Sequence, residues 1–443
     1  MSIIELYQIY LKHPRIQTDT RQLQAGDFFF ALKGDRFDGN AFAAQAISAG
    51  AAAVVIDNPT NYIDERTIVV DDVLQTLQQL AKYHRQQFSI PFIAITGSNG
   101  KTTSKELVHA VLSTQFKTYT TQGNLNNHIG IPLTLLRVGT DAEMAVIEMG
   151  ANHQQEIAGY CEYVSPTHGI ITNCGKAHLE GFGGVEGVKK GKGELFDFMR
   201  SQEGTAFVMW DYDYLRSMSQ GISSCITYGS HEADYQGEIV LGKSSSDNND
   251  SSQAPYLSVK ITGTPQEDER EYPVIKTQLV GDYNFANVML AVAVGSHFGV
   301  PLHKIATAIE AYMPSNSRSQ LLQAGTNTII LDAYNANPSS MRAAIENFAS
   351  INADKKVLLL GAMAELGNES LAEHRLIAAL IAQYPWEQVA LVGGDFNKIE
   401  HPFLRFANAT EAGQWLQQQQ FEHTHLLIKG SRSSQMELVL QKK

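Results

Sequence analysis

The sequence predicts an α/β fold in three domains, built on mostly parallel sheets. Three observations predict it. The chain has 443 residues, and domains of ordinary size run about 100–200 residues each. The run Ile90 to Ile95 is apolar and rich in β-branched residues, and it passes through Gly97-Ser98-Asn99-Gly100 into a helical pattern from Lys101 to about Ser113. Beyond Met313-Pro314-Ser315-Asn316-Ser317 apolar runs and helical patterns alternate again, the pattern of a parallel sheet with crossover helices. The expected divisions are 1–87, 88–313 and 314–443.

In the first unit, Phe28 to Leu32 and Ala53 to Ile56 read as strands, and Asn40 to Ala49 as a helix ended by Gly50. Thr18-Asp19-Thr20-Arg21 is a polar turn with a solvated arginine by pattern alone. Leu74 to Gln87 is an amphipathic helix leading out, and Ser89-Ile90-Pro91 makes the boundary.

The central unit begins at the glycine loop. Strand, tight glycine turn and helix start together bind phosphate, because backbone N–H groups converge on anionic oxygens. Lys101 adds a full charge, and Thr102 offers a hydroxyl to Mg²⁺. The spacing is shorter than the usual P-loop, since Ile95 stands where the first glycine falls. Met144 to Gly150 reads as a strand ending in the carboxylate of Glu148, at the mouth of a parallel sheet. On its own Glu148 divides evenly between a loop acid and a Mg²⁺ ligand; the glycine loop upstream tips it to the metal. Gly169 to Asn173 is another buried strand, and it runs on to His178, either a loop histidine or a second metal ligand.

Gly123 to Pro132 holds Asn124, Asn126, Asn127 and His128, which read either as a plain turn or as a polar lining for a peptide or sugar. Val188 to Phe196 reads as a basic, solvated helix start. Residues 205–280 read as short strands and turns, with a polar surface loop from Ser244 to Gln253. Asn284 and Asn287 share one face of an Ala-rich helix, where they either pack or read a base edge. In the third unit Thr328 to Leu331, Val357 to Leu360, Val389 to Val392 and Leu426 to Ile428 are expected strands. Ser339 to Phe348, Ser370 to Gln383 and Thr410 to Gln419 are expected helices. Gly393-Gly394 lacks the rest of a dinucleotide fingerprint.

Composition narrows the class. Net charge is −12, with no basic run, so nucleic acid is not an expected partner. Cys161, Cys174 and Cys225 are too few and too scattered for a disulfide framework. Met1 to Arg15 carries Glu5 and Lys12 and has no long apolar core, so no signal peptide is expected. No stretch reaches the roughly 18–20 apolar residues of a membrane span. A cytoplasmic location is expected.

Several motifs now resemble one family. Thr96 to Thr103, the Glu148 strand, Asn173 to His178, Gly281 to Asn287 and Asp332 to Pro338 together resemble the Mur ligases of peptidoglycan synthesis. The resemblance covers nearly the whole chain in the right order. It implies a small α/β N-terminal domain for the UDP-linked substrate. It also implies a central P-loop-type ligase domain, with helices on both faces of its sheet, and a C-terminal Rossmann-like domain. The implied reaction is ATP-dependent amide ligation through an acyl phosphate.

The implied roles follow residue by residue. Gly97, Ser98, Asn99, Gly100, Lys101, Thr102 and Thr103 cradle ATP. Thr102 and Glu148 hold Mg²⁺. His178 holds a second ion, helped by Lys192, which matches the family's carbamylated lysine. Asn284 and Asn287 approach adenine, although Tyr283 stands where the family often has His. Arg318 meets the phosphates and Asp332 the ribose when the domains close. Lys101, Lys192, His178, Glu148 and Arg318 form the catalytic set.

Within the family, Gly123 to Pro132 and Asp332 to Pro338 resemble the branch that adds D-alanyl-D-alanine to UDP-MurNAc-tripeptide. Thr20 and Arg21 then place the uridine nucleotide. Asn124, Asn126, Asn127, Asn335 and Asn337 surround the peptides. A monomer is implied. The alternatives are the diamino-acid-adding Mur ligase, whose Asp-Asn-Pro-Arg motif is missing here, a folylpolyglutamate-synthase-like ligase, a P-loop phosphotransferase that makes no amide bond, and a silent nucleotide-binding module.

Overall fold

The computed structural model describes residues 1–441 except 35–36, 241–255, 266–271 and 316. The expected polar loop Ser244 to Gln253 therefore lies outside the described residues, as does Asn316 in the second boundary. Among the described residues three main sheets organise the chain.

The central sheet has nine strands in the order Val274–Val280, Tyr256–Gly263, Tyr235–Ile239, Ser224–Gly229, Thr205–Met209, His168–Ile171, Phe92–Thr96, Met144–Glu148 and Thr118–Thr120. The last seven of these are parallel. The first two form an antiparallel extension at one edge. Phe92, Ile93, Ala94 and Ile95 are all fully buried, as an all-apolar strand covered on both faces must be. Successive connections leave Phe92–Thr96 toward opposite edges, with Met144–Glu148 on one side and His168–Ile171 on the other. Such a switch point opens a crevice beyond the strands' C-terminal ends.

The N-terminal sheet runs Ile16–Gln17, Phe28–Phe30, Ala53–Ile56, Thr67–Val69, all parallel. The third sheet runs Gln320–Ala324, Asn327–Asp332, His425–Lys429, Lys356–Gly361, Gln388–Val392, Leu404–Phe406. Its first pair is antiparallel and the rest are parallel. The α/β class and its parallel bias hold throughout. The strands without an expectation include Ile16–Gln17, Thr67–Val69, Thr118–Thr120, Gln320–Ala324 and Leu404–Phe406, all edges of their sheets, and the small pair Lys33–Gly34 and Phe37–Asp38. The helix Leu302–Ala311 was also unforeseen.

One expectation from local pattern is corrected. Val188 to Phe196 is not a solvated helix start but the middle of the helix Val185–Ser201, with Lys192 fully buried. Glycines bring this helix close to the preceding turn. A Cβ on Gly191 would fall 2.4 Å from the Phe182 ring, and one on Gly187 would fall 1.8 Å from the Phe182 carbonyl.

The helix Val73–Arg85 joins the first unit to the central one. The Tyr7 hydroxyl pairs with His84 Nδ1 at 3.0 Å, and Tyr10 donates to the Leu136 carbonyl at 2.7 Å. Arg85 donates to the carbonyls of Val164, Phe88 and Ser165 at 2.8–2.9 Å and lies over the Phe92 ring. Among the described residues it meets no carboxylate at ion-pair distance. Burial pulls its guanidinium down to about 10. No helix among the described residues is long and apolar enough to cross a membrane.

Two outcomes follow for stability. Arg85→Ala leaves one buried and two part-buried carbonyls without their donor, and chemical denaturation is expected to show a loss of about 2 kcal/mol. The second concerns His168, which packs against Phe207, His297 and Phe298. Burial lowers it from 6.5 to about 4, and the neighbouring His297 adds to the fall. The unfolded chain binds this proton first, so the stability from this site is complete above about pH 6.5 and is lost as pH falls toward 4. Denaturation at stepped pH is expected to show a shallower acid slope for His168→Phe than for the natural chain.

Candidate active site

The glycine loop is held from the neighbouring strand. Ser98 N donates to the Asn173 carbonyl at 2.9 Å, and Asn99 N donates to Asn173 Oδ1 at 3.0 Å. Thr172 Oγ1 and Asn173 Nδ2 both donate to the Asn99 carbonyl, at 2.6 and 3.0 Å. A Cβ on Gly97 would lie 2.0 Å from Thr172 Oγ1. Gly100 has φ +80, and a Cβ there would meet Asn287. Glycine is required at both places. The helix Lys101–Leu112 starts immediately afterwards with no side-chain cap, which leaves its first N–H groups for an anion.

Lys101 Nζ donates to the Gly97 and Ser98 carbonyls at 2.7 and 3.3 Å. Burial lowers its ammonium below the usual lysine value; the Glu148 charge opposes the fall and Arg318 adds to it. Thr102 Oγ1 lies 2.9 and 3.1 Å from the two Glu148 oxygens, and Asn126 Nδ2 donates to Glu148 Oε1 at 2.8 Å. Glu148 is 1% exposed. A buried carboxylate beside a hydroxyl is a donor set for a hard, oxygen-seeking cation.

A cavity of about 770 Å³ opens here. It takes in Ser98 to Thr103, Glu148, His178, Asn284 and Asn287 from the central unit and Arg318, Asp332, Asn335 and Asn337 from the third. Asn124, Asn126 and Asn127 line it too. Most of the side chains expected from sequence thus meet in one place.

Their local partners differ in kind. Asn287 Nδ2 donates to Asn284 Oδ1, Asn284 Nδ2 to the Val280 carbonyl, and Ser104 to Asn287 Oδ1. Both amides therefore brace the loop helix while lining the cavity. Arg318 lies over the Tyr334 ring, 3.6 Å from its centroid. Asp332 accepts from Lys429 Nζ at 2.5 Å and from Ser319 N at 3.2 Å. The Ser319 and Tyr283 hydroxyls pair at 3.0 Å. Asn127 caps the turn into Gly130, and Asn335 Oδ1 accepts from Ala336 N.

Other expected residues lie apart. Gly97 shapes the loop from behind. Thr20 and Arg21 do not line this cavity; Arg21 is solvent-exposed and pairs with Asp19 at 2.7 Å. Lys192 Nζ is buried against the Ala151 carbonyl at 2.9 Å, with the Phe182 ring 4.9 Å away. Burial pushes Lys192 down to about 7, and the Lys101 charge adds to the fall. His178 Nδ1 sits 2.6 Å from Glu365. Of the four expected metal-binding side chains, Thr102 and Glu148 are in direct contact, whereas His178 and Lys192 have partners of their own. Among the described residues no three His, Cys, Asp or Glu side chains gather at metal-binding distance.

Sequence reasoning missed Lys429, Tyr212, Tyr214 and Ser339, all of which line the cavity. Lys429 was findable: it directly follows the expected strand Leu426 to Ile428, at the same sheet edge as Asp332, its register partner. The stacked pair Tyr212 and Tyr214 gave no local signal. Burial holds the cavity thiol of Cys174 up at about 12, so it stays protonated.

Three family matches cover these parts in order. The Mur ligase family catalytic domain matches residues 14–85, the Mur ligase middle domain matches 95–295, and the Mur ligase glutamate ligase domain matches 317–432. The chain belongs to the Mur ligase family. A Bacillus subtilis Mur ligase named UDP-N-acetylmuramoyl-tripeptide–D-alanyl-D-alanine ligase is 35% identical over 85% of this chain and 79% of its own. The Escherichia coli Mur ligase of the same name is 35% identical over 96% of this chain and 92% of its own. A crystal structure of MurF from Acinetobacter baumannii superposes with TM-score 0.86 at 31% identity, covering 99% and 97% of the two chains.

The central and third parts of this Mur ligase touch directly. Asn337 Nδ2 donates to Asn99 Oδ1 at 2.7 Å, and Lys176 N donates to Ser339 Oγ at 2.9 Å. Lys176 Nζ pairs with Glu373 at 2.6 Å. Asn337 also caps the helix Pro338–Ser350. Asn337→Ala is therefore expected to lower stability by about 1 kcal/mol, read by denaturation. It is also expected to raise the radius of gyration in small-angle scattering.

Proposed function

We propose that this chain uses ATP to join D-alanyl-D-alanine to UDP-N-acetylmuramoyl-tripeptide, giving the pentapeptide precursor, ADP and phosphate. One observation supports the chemistry above others: a phosphate-binding loop and a buried carboxylate–hydroxyl pair from one unit share a cavity with Arg318 and Lys429 from another. The identity to ligases of that name supports the choice of substrates. Residues 1–87 take the uridine end of the substrate, with Thr20 and Arg21 at the nucleotide. Residues 88–313 hold ATP, and residues 314–443 close the site. The family likeness supports a monomer. An ATP requirement and a nucleotide-linked precursor fit a cytoplasmic location.

The residues divide the work. Two anions must meet: the tripeptide carboxylate attacks the γ-phosphorus, and ADP leaves. Lys101 releases its loop carbonyls for the β/γ-phosphate oxygens, and Arg318 adds a second charge. Thr102 and Glu148 would hold a Mg²⁺, which would supply further positive charge to those oxygens. The dipeptide amine then attacks the acyl carbon, loses a proton and expels phosphate. Asn126, tied to Glu148, and the neighbouring Asn124, Asn127, Asn335 and Asn337 orient the peptides. Contact between the units excludes water from the acyl phosphate.

Lys192 is the proposed carbamate. Its amine is buried and, among the described residues, lacks a carboxylate at ion-pair distance, so it has reason to react with CO₂. The resulting anion, with His178, is suited to a second Mg²⁺.

The test is a product assay by mass. ADP and phosphate are expected when both the tripeptide precursor and D-alanyl-D-alanine are present. Turnover without the dipeptide would indicate a phosphotransferase; use of a single diamino acid would indicate another Mur ligase. Lys192→Ala is expected to lose roughly 100-fold in rate. Undiminished ligation by that variant at low bicarbonate would remove the carbamate.

A further inference from the structure

The helix Lys101–Leu112 carries a second lysine that the reaction above does not use. Lys105 lies one turn beyond Lys101, and its side chain is 1% exposed. It does not line the cavity. Its ammonium donates to the Thr121 carbonyl at 2.6 Å and pairs with Glu106 Oε1 at 2.7 Å. The Glu106 side chain is 37% exposed, so that pair offsets little of the cost of burying a lysine. The larger consequence lies at Thr121.

Thr121 follows the edge strand Thr118–Thr120, which runs parallel to Met144–Glu148. Thr121 N donates to the Val146 carbonyl at 3.2 Å and so continues that ladder. In a regular parallel ladder the next bond runs from Glu148 N to the Thr121 carbonyl. Here Lys105 occupies that carbonyl, and Glu148 N donates to Thr121 Oγ1 at 3.0 Å. Thr121 is fully buried, so each of these groups needs its partner.

The chain then turns at Gly123, with φ +56, into the segment of Asn124, Asn126 and Asn127. That segment comes back to the same strand. Asn126 Nδ2 donates to Glu148 Oε1 at 2.8 Å, and Gly150 N donates to the Asn126 carbonyl at 2.7 Å. Glu148 is therefore held by Thr121 at its N–H and by Asn126 and Thr102 at its carboxylate.

We infer that Lys105 and Thr121 are positioning residues for the ligase reaction: the buried ammonium takes the Thr121 carbonyl out of the sheet, ends the edge strand there, and leaves the Thr121 hydroxyl to fix Glu148. The asparagine segment starts from that fixed point. The inference rests on the proposed function, in which Glu148 and Asn126 serve the reaction. It ties the two ends of the site together, since the helix that opens at the phosphate loop also sets where the peptide-facing asparagines begin.

Steady-state ligation by the full-length chain tests this with three variants. Lys105→Met keeps the stem and removes the donor. Thr121→Val keeps the shape and removes the hydroxyl, while Thr121→Ser keeps the hydroxyl. In Lys105→Met and Thr121→Val, kcat is expected to fall about tenfold or more, because small displacements of reacting groups cost rates of that order. The KM for ATP is expected to stay within about twofold, since Lys101 and the loop keep their own contacts. Thr121→Ser is expected to keep the natural kcat within about twofold. The double variant of Lys105→Met and Thr121→Val is expected to be at most about threefold slower than the slower single one, because both break one chain of contacts.

A folded Lys105→Met with the natural kcat, whatever its denaturation midpoint, would overturn the inference, because such a lysine only stabilises. So would losses that multiply in the double variant. Equal kcat in Thr121→Val and Thr121→Ser would also overturn it, and that comparison decides where Lys105→Met does not fold. Hydrogen exchange over residues 121–126, read without substrates, is expected to quicken in Lys105→Met and Thr121→Val; unchanged exchange in both counts against the inference in the same way. Failure of the natural chain to ligate the dipeptide overturns the proposed function instead, and the exchange still decides what Lys105 holds.

Discussion

Two parallel strands end side by side, and the site depends on that. Thr96 and Ile171 are register partners. The residues that follow each strand therefore leave the sheet together. Thr172 and Asn173 reach across and bind the loop at Ser98 and Asn99, in a space that no Cβ on Gly97 could share. A slip of one residue would reverse the side chains and remove every one of these bonds. The loop's backbone is shaped in advance: Asn173 takes the Ser98 and Asn99 N–H groups, and those that open the helix Lys101–Leu112 are left for an anion.

The charges form a second layer. Lys101 and Arg318 line the cavity from different units, and Lys429 joins them from the end of its strand. Glu148 and Asp332 face them. Each acid has a protein partner: Glu148 has Thr102 and Asn126, and Asp332 has Lys429 and Ser319. The cations are held more loosely, by loop carbonyls at Lys101 and by the face of Tyr334 at Arg318. In the proposed reaction these are the contacts that give way to phosphate oxygens.

Much of this was legible in the sequence. The strand before the loop announced itself by an unbroken apolar run, and Glu148 and His178 by their places after strands. Local pattern failed where tertiary packing decides. Lys192 reads as a surface charge among Lys189 and Lys190, and nothing nearby says that Gly187 and Gly191 press its helix onto Phe182. Family resemblance, not periodicity, singled it out. Tyr212 and Tyr214 were invisible for another reason: they sit at the start of the short helix Asp213–Met218 and reach the cavity across the fold. Glu365 gave no signal, because its partner is far away in sequence.

The two junctions of the chain are made of different material. Arg85 joins the first unit to the central one through three carbonyl groups and an aromatic face, deep inside. The Arg85 side chain is buried, and two of its three bonds are part-buried. The central and third units meet instead through Lys176 and Glu373, His178 and Glu365, and a pair of asparagine amides, several of them wet. Ionic strength acts on the second joint and leaves the first alone. The two joints therefore differ in kind: the first is centred on a buried guanidinium, and the second is held by bonds that water and ions can replace.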